Sequence, residues 1–312
     1  MNLDRLTTFL AAAEDLNFTQ AARRLHLSQP AVSQQIRDME EELGVTLFER
    51  RGRGILLTPA GERLRALARP VLKDVKQLQV EMGVFRDVPQ GVLRVGASNT
   101  PGIYLLPFAM GAFSESFPAV RLSMQVSDTE MIMRALNDGE LDLALVEEEP
   151  SPARLHGWEK VPLLEDELVM IAHPRHPWVS RETLDVKELP EGTFIFRTPQ
   201  SETRRLIEDR LAEAGLDTER LTTRFELGHT EGLKRAVMAG LGVGWVSRFA
   251  MGMEARAGHL AEVPIRDFRI TRTLWLVRPA GGRLAPHLER FSTLLHEGGW
   301  LPQEVGTQGV RA

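Results

Sequence analysis

Cysteine is absent from this chain, tyrosine occurs once, and only five of the 38 basic residues are lysines. Without cysteine the protein can form no disulfide, and it has no thiol for catalysis or for binding a metal. No apolar stretch approaches the roughly 20 residues that span a bilayer, and the first four residues, MNLD, do not begin a signal peptide. The sequence therefore predicts a cytoplasmic protein that does not associate with membranes.

The 312 residues are enough for two or three domains, and the formal net charge is −5. Because the chain is acidic as a whole, any affinity for nucleic acid must come from the local placement of basic side chains. No Walker, zinc-ligand or nucleophile-elbow motif is present, so the sequence predicts no enzyme, cofactor or metal site. The glycines of 240–244 and the histidines of 173–176 are better explained as a helix stop and a polar loop.

Residues 18–37, FTQAARRLHLSQPAVSQQIR, have the pattern of two short helices joined by a tight turn at 26–27. Thr19 can cap the first helix. Ser28 can cap the second, which has Pro30 in its first turn, where a backbone N–H is not needed. This pair of helices is typical of a DNA-reading helix-turn-helix.

The second helix of the pair is amphipathic. Its apolar side chains recur at helical spacing and predict an inward-facing stripe of Val32, Ile36, Met39 and Leu43. The opposite face carries side chains that can hydrogen-bond to bases or phosphates, namely Gln29, Ser33, Gln34 and Arg37. The alternative interpretation is a surface helix with an ordinary polar face, and the segment that follows argues against it.

That segment, residues 44–58, is typical of a β-hairpin with Gly52 and Gly54 at the bend. Arg50, Arg51 and Arg53 are concentrated around the bend, where they could contact phosphates beside the groove. A first helix over residues 1–15 would brace the reading pair. Residues 1–58 are therefore predicted to form a winged helix-turn-helix domain.

Residues 16–61, from LNFTQAARR to TPAG, resemble the winged helix-turn-helix of the LysR-type transcriptional regulators without a gap. The resemblance implies a sequence-specific regulator that binds double-stranded DNA at a partly palindromic site as a homodimer, with RNA polymerase as a further candidate partner. The residues expected to contact DNA are Thr19, Gln29, Pro30, Ser33, Gln34, Arg37, Arg50, Arg51 and Arg53.

A long helix begins at Pro59, after a Thr58 cap, and continues to about residue 86 within a linker segment of residues 59–88. Its apolar side chains step by three and four, close to a heptad seam. One interpretation is a core helix of the same protein. The other, which the LysR-type pattern favours, is a linker helix that pairs with its twin in a homodimer, and similar regulators also form tetramers. The seam consists of Leu64, Leu67, Val71, Val75, Leu78, Met82 and Phe85.

Beyond the linker, strands and helices alternate to residue 301, so the fold class is α+β overall with a C-terminal α/β domain over residues 89–301. Such alternation predicts a parallel sheet covered on both faces. The two halves, about 91–163 with 268–301 and about 164–267, resemble the effector domain of LysR-type regulators, which is similar to periplasmic binding proteins. Residues 302–312 remain as a C-terminal tail.

Polar turns follow four of the predicted strands, at the positions where ligands bind in such sheets. Each turn begins a helix, so its hydroxyl and N–H groups could hold an anion, although each turn alone is better explained as a helix cap. Their convergence on one cleft predicts a small-molecule effector site. The candidate residues are Ser98, Asn99, Thr100, Ser127, Thr129, Glu147, Arg197, Ser201, Thr203, His229 and Thr230.

The effector is expected to be an anion or a carboxylate metabolite, because Arg197 or Arg204 could add a full charge to these donors. Residues 197–204, RTPQSETR, resemble the Arg-x-x-x-Ser-x-Thr-Arg pattern of regulators of carbon fixation and sulfur assimilation. Glu202 departs from that pattern, which often has glycine there, and three glutamates follow one another at 147–149. These carboxylates leave open a cationic or hydroxyl-rich ligand, or a cleft that binds nothing.

Two classes of function remain: a DNA-binding regulator that senses a small molecule, and a cytoplasmic metabolite-binding protein or enzyme on the α/β half. The N-terminal segment discriminates between them. An enzyme would not need wing arginines, a glutamine-rich recognition helix or a dimer seam. The sequence therefore favours the regulator.

Overall fold

The computed structural model of the chain describes residues 2–51, 54–83, 91–281 and 284–301. The chain divides into two compact units, Met1–Asp87 and Val88–Ala312. The first unit contains the helix-turn-helix and the long helix, and the second contains the α/β halves.

The first unit begins with three helices, α1 (Leu3–Asp15), α2 (Phe18–Arg24) and α3 (Gln29–Leu43). An antiparallel hairpin of β1 (Phe48–Arg51) and β2 (Gly54–Leu57) follows, and then α4 (Pro59–Gly83). The order of elements is that of the predicted winged helix-turn-helix. Gly52 and Arg53, at the predicted bend, lie outside the described residues.

The two predicted helix caps have different outcomes. Ser28 caps α3 as expected, since its Oγ accepts a hydrogen bond from the N–H of Ala31 at 3.3 Å. The prediction that Thr19 caps α2 is wrong. The helix already begins at Phe18, and the cap is Asn17, whose side chain accepts the N–H of Thr19 at 2.9 Å.

The core of the first unit lies between α1, α3, α4 and the hairpin. Ile36 and Met39 are almost fully buried in it, and Val32 is buried as well, so the inward stripe is confirmed for three of its four members. Leu43 is instead 40% exposed. It lies in the last turn of α3, immediately before Gly44 ends the helix with a left-handed φ of 69°.

The first turns of α4 belong to the same core. Thr58 caps the helix as predicted, because its Oγ1 accepts the N–H of Gly61 at 3.0 Å. Gly61 permits a close approach, since a Cβ there would lie 2.2 Å from the carbonyl oxygen of Leu47. Ala68 is buried against α1, and Pro70 removes one backbone hydrogen bond two residues later. Residues 84–88 of the predicted linker segment lie outside the described residues.

The second unit is built from strands and helices that alternate over most of its length. Its helices are α5 (Leu106–Ser116), α6 (Thr129–Asn137), α7 (Glu202–Glu213), α8 (Thr230–Met238), α9 (Gly252–Arg256) and α10 (Pro286–Glu297). Its strands are β3 (Gly91–Ala97), β4 (Val120–Val126), β5 (Leu143–Val146), β6 (Trp158–Ala172), β7 (Thr193–Arg197), β8 (Thr222–Leu227), β9 (Gly244–Ser247), β10 (Ala261–Glu262) and β11 (Ile270–Pro279). A π-helical turn at Pro101–Leu105 precedes α5.

The main sheet has the strand order β10-β6-β11-β5-β3-β4, and β9 also pairs with β6. Strand β3 is parallel to β4 and β5, and β7 is parallel to β8, as the alternation predicted. The parallel pairing does not extend through the whole main sheet, because β11 runs antiparallel to both β5 and β6. These two long strands, β6 and β11, are the crossing connections between the two halves.

Each half packs a core of its own around its strands. In the first half Ile132 and Leu136 of α6 pack against Val146 and Val277. In the second half the ring of Phe194 stacks on that of Trp245 at 5.3 Å between centroids. The two cores hold the strand ends rigidly, which positions the polar turns that follow them.

Candidate functional site

The N-terminal half of α3 presents polar side chains to solvent. Gln29, Pro30, Gln34 and Arg37 are exposed, and Ser33 is partly buried. Because these positions are three or four residues apart, most of them lie on one face of the helix. Thr19, which is exposed at the start of α2, completes the helix-turn-helix candidates.

Hydrogen bonds connect the polar side chains of α3. Gln34 is central, since its Oε1 accepts from Arg37 Nη2 at 2.7 Å and its Nε2 donates to Asp38 Oδ1 at 2.7 Å. Asp38 is also paired with Arg5 of α1 at 3.0 Å. The side-chain amide of Gln34 is therefore oriented by its neighbours in the free protein.

The wing places basic residues beside its bend. Arg50 and Arg51 are consecutive residues of β1 and pair with Ile55 and Gly54 of β2. Arg53 lies outside the described residues. The backbone of the hairpin thus brings two of the three predicted wing arginines to its tip.

In the second unit a cavity of about 370 Å³ opens between the two halves. All four predicted polar turns contribute to its lining. The predicted residues that line it are Ser98, Asn99, Ser127, Glu147, Arg197, Ser201, Thr203 and His229. The other three, Thr100, Thr129 and Thr230, stand behind the lining and hydrogen-bond to Arg272, Glu202 and Arg197 respectively.

Three helices begin at this cavity, and their N-termini are capped differently. The N-terminus of α6 is capped by Asp128, whose Oδ1 accepts the N–H of Met131 at 2.8 Å. Ser201 before α7 and His229 before α8 form no side-chain cap with the described residues. Backbone N–H groups at the starts of α7 and α8 are therefore free of side-chain caps and can receive a ligand.

Arg197, at the end of β7, is the cation that lines the cavity from the second half. Its side chain is fixed, because Nη1 donates to Thr230 Oγ1 at 2.8 Å and Nη2 donates to the Gly228 carbonyl at 2.9 Å. Its Nε is buried and has no partner among the described residues. Burial lowers the pKa of the Arg197 guanidinium, which nevertheless stays protonated at neutral pH. The group is a buried, incompletely satisfied donor.

A second guanidinium, that of Arg272 on β11, lies directly behind the cavity and is not among the candidates from the sequence. Its side chain is 6% exposed and forms ion pairs with Glu147 at 3.1 Å and Asp166 at 2.8 Å. It also donates to Thr100 Oγ1 at 2.9 Å and Thr203 Oγ1 at 3.1 Å. Burial opposes its charge, but the two carboxylates hold the pKa of Arg272 above its usual value. Arg272 therefore ties both halves together behind the site.

Glu202, the first residue of α7, lines the cavity as a carboxyl group rather than as a donor. Its Oε2 accepts the hydroxyl of Thr129 at 2.9 Å, which links α7 to α6 of the other half. Burial raises the pKa of Glu202 to about 7, and the neighbouring carboxylates of Glu148 and Glu147 add to the rise. At neutral pH the group is thus poised between its charged and neutral forms.

Arg204, the alternative source of positive charge, points elsewhere. It donates to Glu208 at 2.7 Å, to Glu226 at 2.6 Å and to the Arg197 carbonyl at 2.9 Å. It is therefore a support for β7 and not part of the lining. Residues that line the cavity but were not among the candidates are Val126, Asp128, Thr198, Gln200, Glu202 and Gly228.

Metal-binding and membrane-spanning features are both absent from the part of the chain that the structure describes. No group of three or more His, Asp or Glu side chains there is placed to hold a metal ion. Over the same residues, no helix combines the length and the apolar character that crossing a membrane requires.

Both units match known families. Residues 3–62 match the family model of the bacterial regulatory helix-turn-helix protein, lysR family, and residues 86–300 match that of the LysR substrate binding domain. The chain belongs to the LysR family of transcriptional regulators. This LysR-type regulator accordingly combines a DNA-binding domain with an effector-binding domain.

Individual relatives agree with this assignment. The regulator is 36% identical over 275 residues to a probable RuBisCO transcriptional regulator of Trichormus variabilis, a match that covers 88% of this chain and 82% of that protein. It resembles the structure of a full-length OxyR variant from Pseudomonas aeruginosa, with a TM-score of 0.73, 25% identity and coverage of 100% and 98% of the two chains. These relatives are transcriptional regulators rather than enzymes.

The effector-binding domain also has a relative solved with a ligand. The CcmR regulatory domain of Synechocystis PCC6803, in complex with 2-PG, matches with a TM-score of 0.60 and 27% identity, over 67% of this chain and 97% of that chain.

Proposed function

We propose that this regulator is controlled by a small anion, such as a carboxylate metabolite, bound in the cavity between its effector halves. The observation that carries the proposal is Arg197, whose buried Nε lacks a partner among the described residues and whose position is fixed by Thr230 and Gly228. A planar guanidinium in a fixed position suits an anionic group.

The helix starts around Arg197 support the same class of ligand. The N-termini of α7 and α8 lack side-chain caps in the described structure, and both carry partial positive charge. The cavity of about 370 Å³ is of a size for a small metabolite. The complex of the CcmR regulatory domain with 2-PG is a precedent for a small-molecule ligand in a related domain.

Replacing Arg197 with Met should weaken the binding of a small anion about 10- to 100-fold, because charged hydrogen bonds of this kind contribute about 1.5–3 kcal/mol each. A thermal-shift screen of carboxylates and phosphate esters identifies a ligand, and calorimetry then compares the wild type with the variant. Arg210→Met is the matched control, since Arg210 pairs with exposed Glu213 on α7 and does not line the cavity. Equal stabilisation of both variants by anions would remove Arg197 from the site.

The DNA-reading surface is proposed to consist of the exposed face of α3 and the wing arginines. Gln34 is the best candidate for reading a base, because its amide is oriented by Arg37 and Asp38 and lies in the N-terminal half of the helix. A homodimer would place two such helices on a partly palindromic site.

Substituting Gln34 with Ala should change the preference for one base step by about 1–3 kcal/mol and leave binding to other positions unchanged. Substituting Arg51 with Ala should weaken binding to all sequences and reduce the salt dependence. Competition binding with single-base variants of the target duplex at two salt concentrations separates these effects. A uniform loss of affinity for Gln34→Ala would contradict a base-reading role.

A homotetramer is proposed from the edges of the effector domain. Strands β4 and β8 each pair on one side only in the described structure, and most of their residues are exposed. Exposed apolar side chains lie there, including Met124 and Phe225. A second effector domain is the proposed occupant of these edges.

Cytoplasmic location and contact with RNA polymerase are further proposals, which rest on the family's function.

A further inference from the structure

Glu202 occupies an unusual position in the effector domain, because it lies between two cavities. One is the proposed anion site, and the other is a cavity of about 510 Å³ lined by Glu147, Glu148, Asp209 and Arg272 among others. Glu202, like Glu147, therefore lines both cavities. An anion bound beside Arg197 would share its cavity with this carboxyl group.

The contacts of Glu202 connect the two halves of the domain. Thr129, which is almost fully buried at the start of α6, donates its hydroxyl to Glu202 Oε2 at 2.9 Å. The carboxyl groups of Glu148 and Glu147, after β5, face it from the first half as well. The side chain is thus held in the cleft by the Thr129 hydroxyl, and it lies within hydrogen-bonding reach of Glu148 and near Glu147.

Charged groups surround Glu202 on every neighbouring element. Negative groups are Asp128 before α6, Glu147 and Glu148 after β5, and Asp209 on α7; positive or titratable groups are Arg197 of β7, Arg205 of α7, Arg272 of β11 and His229 before α8. In the described structure none of these cations is ion-paired with Glu202, and Arg272 is already paired with Glu147 and Asp166. Arg272 is close enough to interact electrostatically with Glu202, but its ion pairs are formed with the other two carboxylates.

We propose that the protonation state of Glu202 determines whether the cleft accepts an anionic effector. The cleft binds an anion together with a proton, which Glu202 takes from solvent. The inference rests on the proposed anion site at Arg197. A charged Glu202 would repel a bound anion across a cavity of this size. A neutral Glu202 keeps the Thr129 hydrogen bond, can share its proton with the neighbouring Glu148, and no longer places a negative charge beside the anion.

The sign of the pH dependence follows from this coupling. A bound anion disfavours the charged carboxylate, so it raises the pKa of Glu202 above its value of about 7 in the free protein. Affinity for an anion of constant charge is then greatest below pH 7. It falls by up to about tenfold per pH unit as the pH rises through the free-state pKa, and levels off above the bound-state pKa.

Sulfate is the suitable probe for the full-length protein, because its charge is constant from pH 6 to pH 8, whereas phosphate titrates in this range. Calorimetry in buffers of different ionisation enthalpy measures the protons taken up with each sulfate. We expect uptake to increase from near zero at pH 6 towards one proton at pH 8. In Glu202→Gln, which retains an acceptor for Thr129, we expect no uptake, equal affinity at both pH values, and tighter binding than wild type at pH 8.

Two variants test whether the effect arises from the Glu202 carboxyl group. Glu213→Gln changes an exposed glutamate on the same helix and should behave as wild type. Thr129→Val removes the hydrogen bond that lowers the pKa of Glu202, so the fall in affinity should move to higher pH without disappearing. A purely structural role for Glu202 would instead reduce affinity equally at every pH, with no change in proton uptake.

His229 is the imidazole that lines the same cavity, so His229→Gln is a necessary comparison. Uptake that remains in Glu202→Gln and disappears in His229→Gln would overturn the proposal, as would pH-independent binding of sulfate by the wild type. Both results would leave the anion site intact. If sulfate does not bind saturably to wild type, or binds equally to Arg197→Met, the anion site and the proton coupling both fail.

Discussion

Replacing Arg272 with Met is expected to lower the free energy of unfolding of the effector domain by about 3–5 kcal/mol, since removing one partner of a buried ion pair leaves uncompensated charge. The variant would leave Glu147 and Asp166 without their common cation, although both carboxylates are at least nine-tenths buried. Thr100 and Thr203 would also lose their donor. The loss should therefore extend to anion binding, because these residues hold the walls of the cavity.

The loss of stability in Arg272→Met should depend on pH. Burial already raises the pKa of Asp166, and the Arg272 guanidinium opposes that rise in the wild type. Without the guanidinium the pKa of Asp166 rises further. A carboxyl group with a raised folded-state pKa contributes stability at low pH and loses it as the pH rises, so the variant should be more stable at pH 5 than at pH 8.

Urea unfolding of the full-length protein at pH 5 and pH 8, followed by tryptophan fluorescence, measures this effect. Arg269→Met is the matched control, because Arg269 immediately precedes β11, is 77% exposed and pairs with Glu167 of β6. Exposed pairs contribute about 0–1 kcal/mol, so the control should unfold nearly as the wild type does. Similar losses for both variants would show that Arg272 is no more important than a surface arginine.

Arg272 illustrates why part of the site could not be predicted from the sequence. The apolar pattern predicts a last strand from Leu274, but β11 begins at Ile270, and its alternation places Ile270, Arg272 and Leu274 on one face. In the sequence, an arginine at an inward-facing position of a strand suggests a strand end or a loop, because the acidic partners that would allow its burial cannot be identified. Those partners, Glu147 and Asp166, are more than 100 residues away in the chain.

Strand β6 is longer than its local sequence predicts for the same reason. The pattern predicts a strand only over residues 168–172, because the segment before them is rich in charge. In the structure the strand begins at Trp158, and its charged residues face partners on β11, such as Glu159 with Arg278 at 2.6 Å. Cross-strand pairing over this distance is invisible in the local sequence. By contrast, the sequence predicts a strand over residues 120–126, between clear helix signals, and β4 has these same bounds.

The winged-helix unit is predicted more accurately because its determinants are local. Helix caps, turns and periodicity all act within about four residues, and Ser28, Pro30 and Thr58 have their expected roles.

The predicted seam on α4 contains both core and exposed residues. Leu64 is a predicted member of the seam, but it packs into the core of its own unit together with Leu72.

Three other members of the seam are exposed in the single chain. Leu67, Val71 and Leu78 have 52%, 45% and 61% of their surface exposed, and the spacing places them on one face of α4. Val75 is partly buried, whereas Phe85 and the side chain of Met82 lie outside the described residues. The 25 residues of α4 extend about 37 Å, which is longer than a small domain can cover. The exposed leucines thus support pairing with the same helix of a second copy.

Replacing both Leu67 and Leu78 with Glu is expected to separate the linker helices and to weaken dimerisation more than about a thousandfold, because four carboxylates would be buried without partners. The variant chain should still fold, since neither leucine belongs to the core of its own unit. Leu67→Met with Leu78→Met is the control that preserves an apolar seam.

Sedimentation of the full-length protein should show an assembly half the size of the wild type if the effector domains continue to associate, and a monomer if they do not. In either case paired linker helices no longer join two DNA-binding domains. Each domain then binds a half-site independently, so the avidity for the full palindrome is lost. Affinity for an isolated half-site should be unchanged, because the surface of α3 lies outside the seam. An unaltered assembly that still binds the full site as tightly as wild type would place the dimer contact elsewhere in the chain.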